Sequence, residues 1–125
     1  MGMAKILLAE DEEVLRMLVV DTLEDEGYEI DEACDGQEAI ELIKENEYDL
    51  ILLDYMMPIY TGLEVIQQVR ELPEKKHVKI MMLSAKSQQA DQQRVLEAGA
   101  DYFMAKPYSP LELVKRIEEI LHGEN

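Results

Sequence analysis

Basic residues are scarce in this chain: 12 Lys and Arg stand against 28 Asp and Glu, a formal net charge of −16. Such a surface repels nucleic-acid phosphates and anionic membranes. Direct nucleic-acid binding by this chain is therefore not expected, and any effect on DNA would need another chain or domain. Cysteine is nearly absent. The single Cys34 cannot close an internal disulfide, and its place at the end of an apolar stretch predicts a buried thiol rather than a nucleophile. The two histidines, His77 and His122, lie in polar segments, so exposure is expected and neither is read as a metal ligand. No apolar run approaches the length of a membrane span, and the N-terminus lacks a basic region followed by an apolar stretch. No membrane association is expected, and a cytoplasmic location is. Low-complexity linkers and internal repeats are missing as well, and 125 residues suit one domain, 1–125.

The chain is nevertheless 47% hydrophobic, enough for a real core, which argues against disorder despite 32% charged residues. Short β-like runs alternate five times with amphipathic helical stretches, the pattern of an α/β fold with a parallel sheet. The predicted strands are Lys5 to Ala9, Tyr28 to Ala33, Asp49 to Leu53, Lys79 to Leu83 and Tyr102 to Ala105. Runs 6–8, 50–53 and 80–83 are continuously apolar, as strands covered on both faces should be. Helix starts are marked by Asp35 with Glu38, Thr61 with Glu64, and Ser109 with Glu112, each predicting a capping box, the last with Pro110 at the first helical position. The first helix, about 12–26, is expected to bury Val14, Leu15, Leu18 and Val19 and to stop at Gly27. The last is expected to bury Leu111, Val114, Ile117 and Leu121. Between them SQQADQQRVLEAG predicts a Gln-rich, weakly amphipathic helix ending at Gly99.

Every predicted strand but the second runs straight into chemistry-bearing residues: Glu10 and Asp11, Asp54, Ser84, Lys106. In a parallel sheet these C-terminal ends share one edge, where open α/β sheets bind ligands, so the five should converge. A lone Asp after a strand is more often a turn or cap residue; five convergent polar ends are not explained that way. Three carboxylates gathered together need a positive partner, since two like charges about 4 Å apart cost on the order of 4 kcal/mol at an effective dielectric near 20. Lys106 is one candidate and a divalent cation the other, with an all-oxygen set favouring Mg²⁺ over Zn²⁺. A metal, a lysine, a hydroxyl and a carboxylate suit phosphoryl transfer, with Asp54 as nucleophile and Glu10 and Asp11 holding the metal.

LLAEDEE, LLDYMMP, MLSAK and AKPY, in that order and at these separations, resemble the receiver domains of bacterial two-component response regulators, chemotaxis-regulator-like domains in particular. The resemblance covers essentially the whole chain. It implies a flavodoxin-like, doubly wound, five-stranded parallel sheet of order 2-1-3-4-5 with five helices. It also implies that Asp54 accepts a phosphoryl group from a sensor histidine kinase or a phosphotransfer protein, with Mg²⁺, or Mn²⁺ in its place, as cofactor. Asp11 would bind the metal directly, Glu10 through water, and Asp54 and the Met56 carbonyl would complete the protein ligands. Ser84 would reach the phosphoryl group and Lys106 would pair with it; Lys106–Pro107 would be cis; Met56 and Lys86 would tune the hydrolytic lifetime. Phe103 would be the aromatic switch, turned by strand alternation to the face opposite Lys106 and toward the Gln-rich helix. Tyr102 and Tyr108 are read as packing residues.

The protein so described is a signalling switch, catalysing only its own phosphorylation and dephosphorylation. It would change what the surface of helix four, strand five and helix five binds, namely a downstream output protein or domain, as a monomer or as a dimer formed on phosphorylation. Ending soon after the fifth helix, at HGEN, the chain fits either a stand-alone regulator or a piece of a longer one. Three alternatives stand beside this. A phosphatase of the haloacid-dehalogenase type would usually need a second acid where Met56 stands. A flavodoxin-like FMN carrier would need a phosphate-cradling loop where Glu10 to Glu13 repel phosphate. An adaptor working without phosphorylation would share the fold. The sequence departs from the commonest receiver pattern at Glu10, Thr61 and Phe103, where Asp, Asp and Tyr are frequent.

Overall fold

The computed structural model describes residues 4–85 and 89–123. Within them β1 (Lys5–Ala9), β2 (Glu29–Ala33), β3 (Leu50–Asp54), β4 (Ile80–Ser84) and β5 (Tyr102–Ala105) form one sheet of order β2-β1-β3-β4-β5. All four pairings are parallel, and their registers bring Ala9 beside Leu53, Asp54 beside Leu83, and Ser84 beside Ala105. The carboxyl ends of β1, β3, β4 and β5 therefore share an edge. Two strands run one residue later than the sequence suggests, so Asp54 and Ser84 are the last residues of β3 and β4 rather than the first beyond them. Each polar group thus inherits the rigidity of a wholly buried strand.

Between the strands run α1 (Glu13–Asp25), α2 (Gly36–Glu45), α3 (Gly62–Arg70), α4 (Gln89–Ala98) and α5 (Pro110–His122), with a 3₁₀ turn at Pro73–Lys75. Side-chain alternation splits the core in two. Leu7, Ile51, Leu53, Ile80 and Met82 face α2, α3 and α4, whereas Ile6, Leu8, Leu50, Leu52, Met81 and Leu83 face α1 and α5. With both faces covered, every residue of β3 and β4 is buried.

The helix caps follow the sequence with one change. Thr61 and Ser109 close full capping boxes with Glu64 and Glu112. Asp35 accepts from the Glu38 N–H at 2.8 Å, but the Glu38 carboxylate accepts from the Cys34 N–H at 2.7 Å rather than from Asp35's own. Cys34 is exposed, not buried: Ala33 is the last residue of β2, and the chain has left the sheet at the next one.

Two helix faces differ from the expected ones. In α1 the buried residues are Val19, Val20 and Leu23, while Val14 is 78% exposed and Leu18 also faces solvent. In α5 they are Leu113, Val114 and Ile117, with Leu111 77% exposed and Leu121 half-buried. Each helix carries more apolar residues than one stripe holds, and docking on the sheet selects which stripe is used.

α4 is held most sparingly: Val95 is its one buried residue among those described. Its C-terminal end is fixed differently. Gly99 has φ +124, a conformation that favours glycine. The Gly99 carbonyl accepts from Arg70 Nη2 at 2.7 Å and Nε at 3.0 Å, and the same guanidinium reaches Asp101 and the carbonyls of Lys75 and Lys76.

Candidate functional site

The shared strand edge carries a pocket of about 380 Å³ lined by Glu10, Asp11, Glu12, Asp54, Met56, Ala85 and Lys106. Glu10 (1% exposed) and Asp54 (5% exposed) form its floor; Asp11 lies exposed at its mouth. Oxygens of these three carboxylates lie within 4.8 Å of one another. Lys106 Nζ bridges the two buried acids, 3.0 Å from Glu10 Oε1 and 3.2 Å from Asp54 Oδ2. Lys106 reaches inward from the turn after β5, where the Lys106–Pro107 peptide is cis and the Lys106 N–H donates to the Ser84 carbonyl at 2.8 Å.

One cation does not balance three acids. Burial, then the adjoining Glu10 carboxyl, raise the Asp54 pKa from 3.8 to about 7, against the lowering effect of Lys106. Burial disfavours the Lys106 charge, but the hydrogen bond to Glu10 and the charges of Asp54 and Glu10 more than offset this and hold its pKa above the ordinary range. Without a further cation, Asp54 therefore holds its proton more firmly than an ordinary carboxyl. The donor set fits a hard divalent ion: oxygens only, two of them anchored on rigid strand ends, and one carboxylate open to solvent where water can complete the shell.

Ser84 is buried at the end of β4, with the alternation of Ile80 and Met82, which places it on the sheet face that also carries Phe103. Phe103 is half-buried against the cluster that includes Val95 of α4. Met56 is exposed beside Asp54, and its N–H points at Asp54 Oδ1 at 3.4 Å. Lys86 lies outside the described residues. His77 and His122 are exposed and take no part.

Two contributions have no signature in the sequence. The Glu12 N–H donates to Glu10 Oε2 at 3.1 Å, and Arg16 Nη1 donates to the Glu10 carbonyl at 2.8 Å while its Nε reaches Glu32. Together they fix the loop that presents Glu10 and Asp11. Arg16 is a surface-type residue in α1, and only the placement of that helix brings it to the loop. A second acidic grouping, Cys34, Asp35 and Glu38, is accounted for by capping, and a hydrogen bond to Glu38 together with nearby acids holds the Cys34 thiol above its usual pKa.

A doubly wound, flavodoxin-like α/β domain with an acidic pocket at its topological switch point is thus the class that fold and site define. Residues 6–118 match the response regulator receiver domain, and the chain belongs to that family. ResD, a transcriptional regulatory protein of Bacillus subtilis, is 48% identical over 117 residues, covering 94% of this chain and 48% of ResD. The chain spans about half the length of the regulators it matches. Among solved structures, the chemotaxis response regulator CheY4 of Vibrio cholerae superposes with a TM-score of 0.91 at 34% identity, covering 96% of this chain and 100% of CheY4. The response regulator TrrA of Thermotoga maritima, solved in complex with Mg²⁺ and BeF, gives 0.83 at 36% identity, covering 95% of this chain and all of TrrA. Receiver domains of this kind are the signalling switches of two-component systems, and no helix among the described residues is long and apolar enough to cross a membrane.

Proposed function

We propose that the chain works as one receiver domain in which Asp54 accepts a phosphoryl group from the phosphohistidine of a sensor histidine kinase or phosphotransfer protein. One observation carries this reading: a carboxylate at the end of a wholly buried strand, paired with a single lysine, in a pocket whose other acids leave negative charge uncompensated. Asp11, Asp54 and the Met56 carbonyl would hold Mg²⁺ directly and Glu10 through water; Mn²⁺ is chemically acceptable at the same oxygens. Such an ion would supply charge neutralisation of the phosphoryl oxygens and would favour the ionised form of the Asp54 carboxylate.

An Asp54 carboxylate oxygen attacks phosphorus, the P–N bond breaks, and its electron pair returns to the imidazole of the donor. The product is an acyl phosphate; a water attacking the same phosphorus later releases inorganic phosphate and restores the carboxylate. Lys106 swings from the two buried acids to a phosphoryl oxygen, and the Ser84 hydroxyl donates to another. Ser84 and Phe103 share a sheet face, which supports a switch in which displacement of Ser84 lets the Phe103 ring move inward and biases the surface of α4, β5 and α5 toward an output protein or domain. Met56 and Lys86 modulate access of the hydrolytic water. The switch operates in the cytoplasm, as a monomer or as a dimer formed on phosphorylation.

Intact mass after incubation with Mg²⁺ and acetyl phosphate tests this. One base-labile phosphoryl group on the wild type and none on Asp54→Asn is expected. An adduct that survives Asp54→Asn would move the acceptor elsewhere. No adduct on the wild type and no binding of beryllofluoride would refute the phosphoacceptor reading.

A further inference from the structure

Tyr108 lies two residues beyond Lys106, in the turn between β5 and α5. Its ring packs on the face carrying α1 and α5 and lines an open groove of about 430 Å³ with Phe103, Met104, Pro107 and Arg116. Its hydroxyl is buried and, among the described residues, has no hydrogen-bond partner. Phenylalanine would fill the same space without burying an unmade hydrogen bond, so the hydroxyl costs the fold in this state. Strand alternation carries Glu10 to the same side of the sheet as Ile6 and Leu8, the side on which Tyr108 packs; burial, then the charges of Glu10, Asp54 and Glu12, raise the pKa of the hydroxyl, so it remains an O–H donor.

We propose that Tyr108 is a second coupling residue of the switch, its hydroxyl donating to the Glu10 carboxylate when Lys106 leaves Glu10 for a phosphoryl group on Asp54. In the free protein Glu10 Oε1 takes Lys106 and Oε2 takes the Glu12 N–H. Departure of Lys106 removes the donor of Oε1 inside a wholly buried residue, and a metal-held water would fill only part of the acceptor capacity that the carboxylate regains. Tyr108 supplies the replacement. Because its ring is also a wall of the groove, the same movement alters the surface of β5 and α5. Phe103 reports on the α4 face of the sheet; Tyr108 reports on the α5 face.

The proposal rests on the phosphoacceptor reading of Asp54, and one experiment separates the two. Wild type and Tyr108→Phe, labelled with ¹³C at tyrosine Cζ, are titrated with beryllofluoride in Mg²⁺, and ¹⁹F NMR measures the bound mimic. The substitution identifies the Tyr108 resonance by its loss. On binding, the Tyr108 Cζ resonance should move downfield more than that of any other tyrosine, and Tyr108→Phe should weaken beryllofluoride binding about fivefold or more. Bound mimic with an unmoved Cζ resonance, or affinities equal within twofold, would overturn the coupling role alone. No bound mimic on the wild type would overturn the phosphoacceptor reading and the coupling with it.

Discussion

Replacing Asp54 by Asn should make the metal-free protein more stable, although it removes an ion-pair partner of Lys106. Burial and Glu10 raise the Asp54 pKa from 3.8 to about 7. At 1.36 kcal/mol per tenfold change in proton affinity, folding disfavours the charged carboxylate by roughly 4 kcal/mol. The sign follows from the direction. Because the folded-state pKa is the higher one, Asp54's contribution to stability is fully present below about pH 4 and lost as pH rises through about 7. Asn cannot ionise and loses nothing over that range. It also forfeits the 3.2 Å contact with Lys106, and the neighbouring groups relax, so a net gain of about 2 kcal/mol at pH 8 is expected. Urea unfolding followed by far-ultraviolet circular dichroism in EDTA, from pH 5 to pH 8, measures it. The advantage of Asn should shrink to less than half its pH 8 value by pH 5, and 10 mM Mg²⁺ should narrow it at pH 8 by stabilising the wild type alone. An Asn variant no more stable than wild type at pH 8 in EDTA, or an advantage independent of pH, would refute the reasoning.

Mg²⁺ affinity should fall as pH drops through about 7, approaching tenfold per pH unit below it, because Asp54 must shed its proton to bind; calorimetric titration showing equal affinity at pH 8 and pH 5.5 would contradict this. Gly62→Ala should cost about 2 kcal/mol and slow phosphorylation by acetyl phosphate, since its Cβ would lie 2.6 Å from the Asp54 carbonyl oxygen and 2.9 Å from Met82 Sδ. Wild-type stability and phosphorylation rate in that variant would count against close packing beneath the acceptor. Ile59, exposed with φ +71, occupies a backbone region that β-branched residues avoid; Ile59→Asn should gain about 0.5–1 kcal/mol in urea unfolding, and a loss would show that the isoleucine side chain stabilises the loop. Val95→Ala should speed hydrogen exchange in α4 while β3 amides keep the protection set by global unfolding; equal acceleration in both would mean α4 unfolds only with the whole domain.

The sheet was legible because its central strands are uniform. Ile6–Leu8, Leu50–Leu53 and Ile80–Leu83 are apolar without a break, a pattern that only strands covered on both faces require, and strand order followed from the family resemblance. The polar edge was legible for the same reason, since Glu10, Asp54, Ser84 and Lys106 each interrupt or follow an apolar run. Helix faces were harder to read. In α1 both Val14–Leu18 and Leu15–Val19 are apolar pairs one turn apart, and periodicity alone cannot say which meets the sheet; contact with α5 decides it. Cys34 follows an apolar stretch in sequence but a strand end in space. Arg16 was not legible as a site residue, because it does not lie at a strand end and arrives through the packing of α1.

The fixing of α4 at one end has a mechanical consequence. With Arg70 gripping Gly99 and Asp101 and with Val95 as the buried residue near that end, the helix is a lever whose fulcrum is its C-terminus. Ten residues at 1.5 Å each make an arm of about 15 Å, so a tilt of about 10° about Gly99 displaces the first turn by roughly 2.5 Å. That first turn follows, by a short stretch of chain, the end of β4 where Ser84 sits. In the proposed switch, a small motion of Ser84 would act at the long end of that arm, and the force needed to tip it would be small.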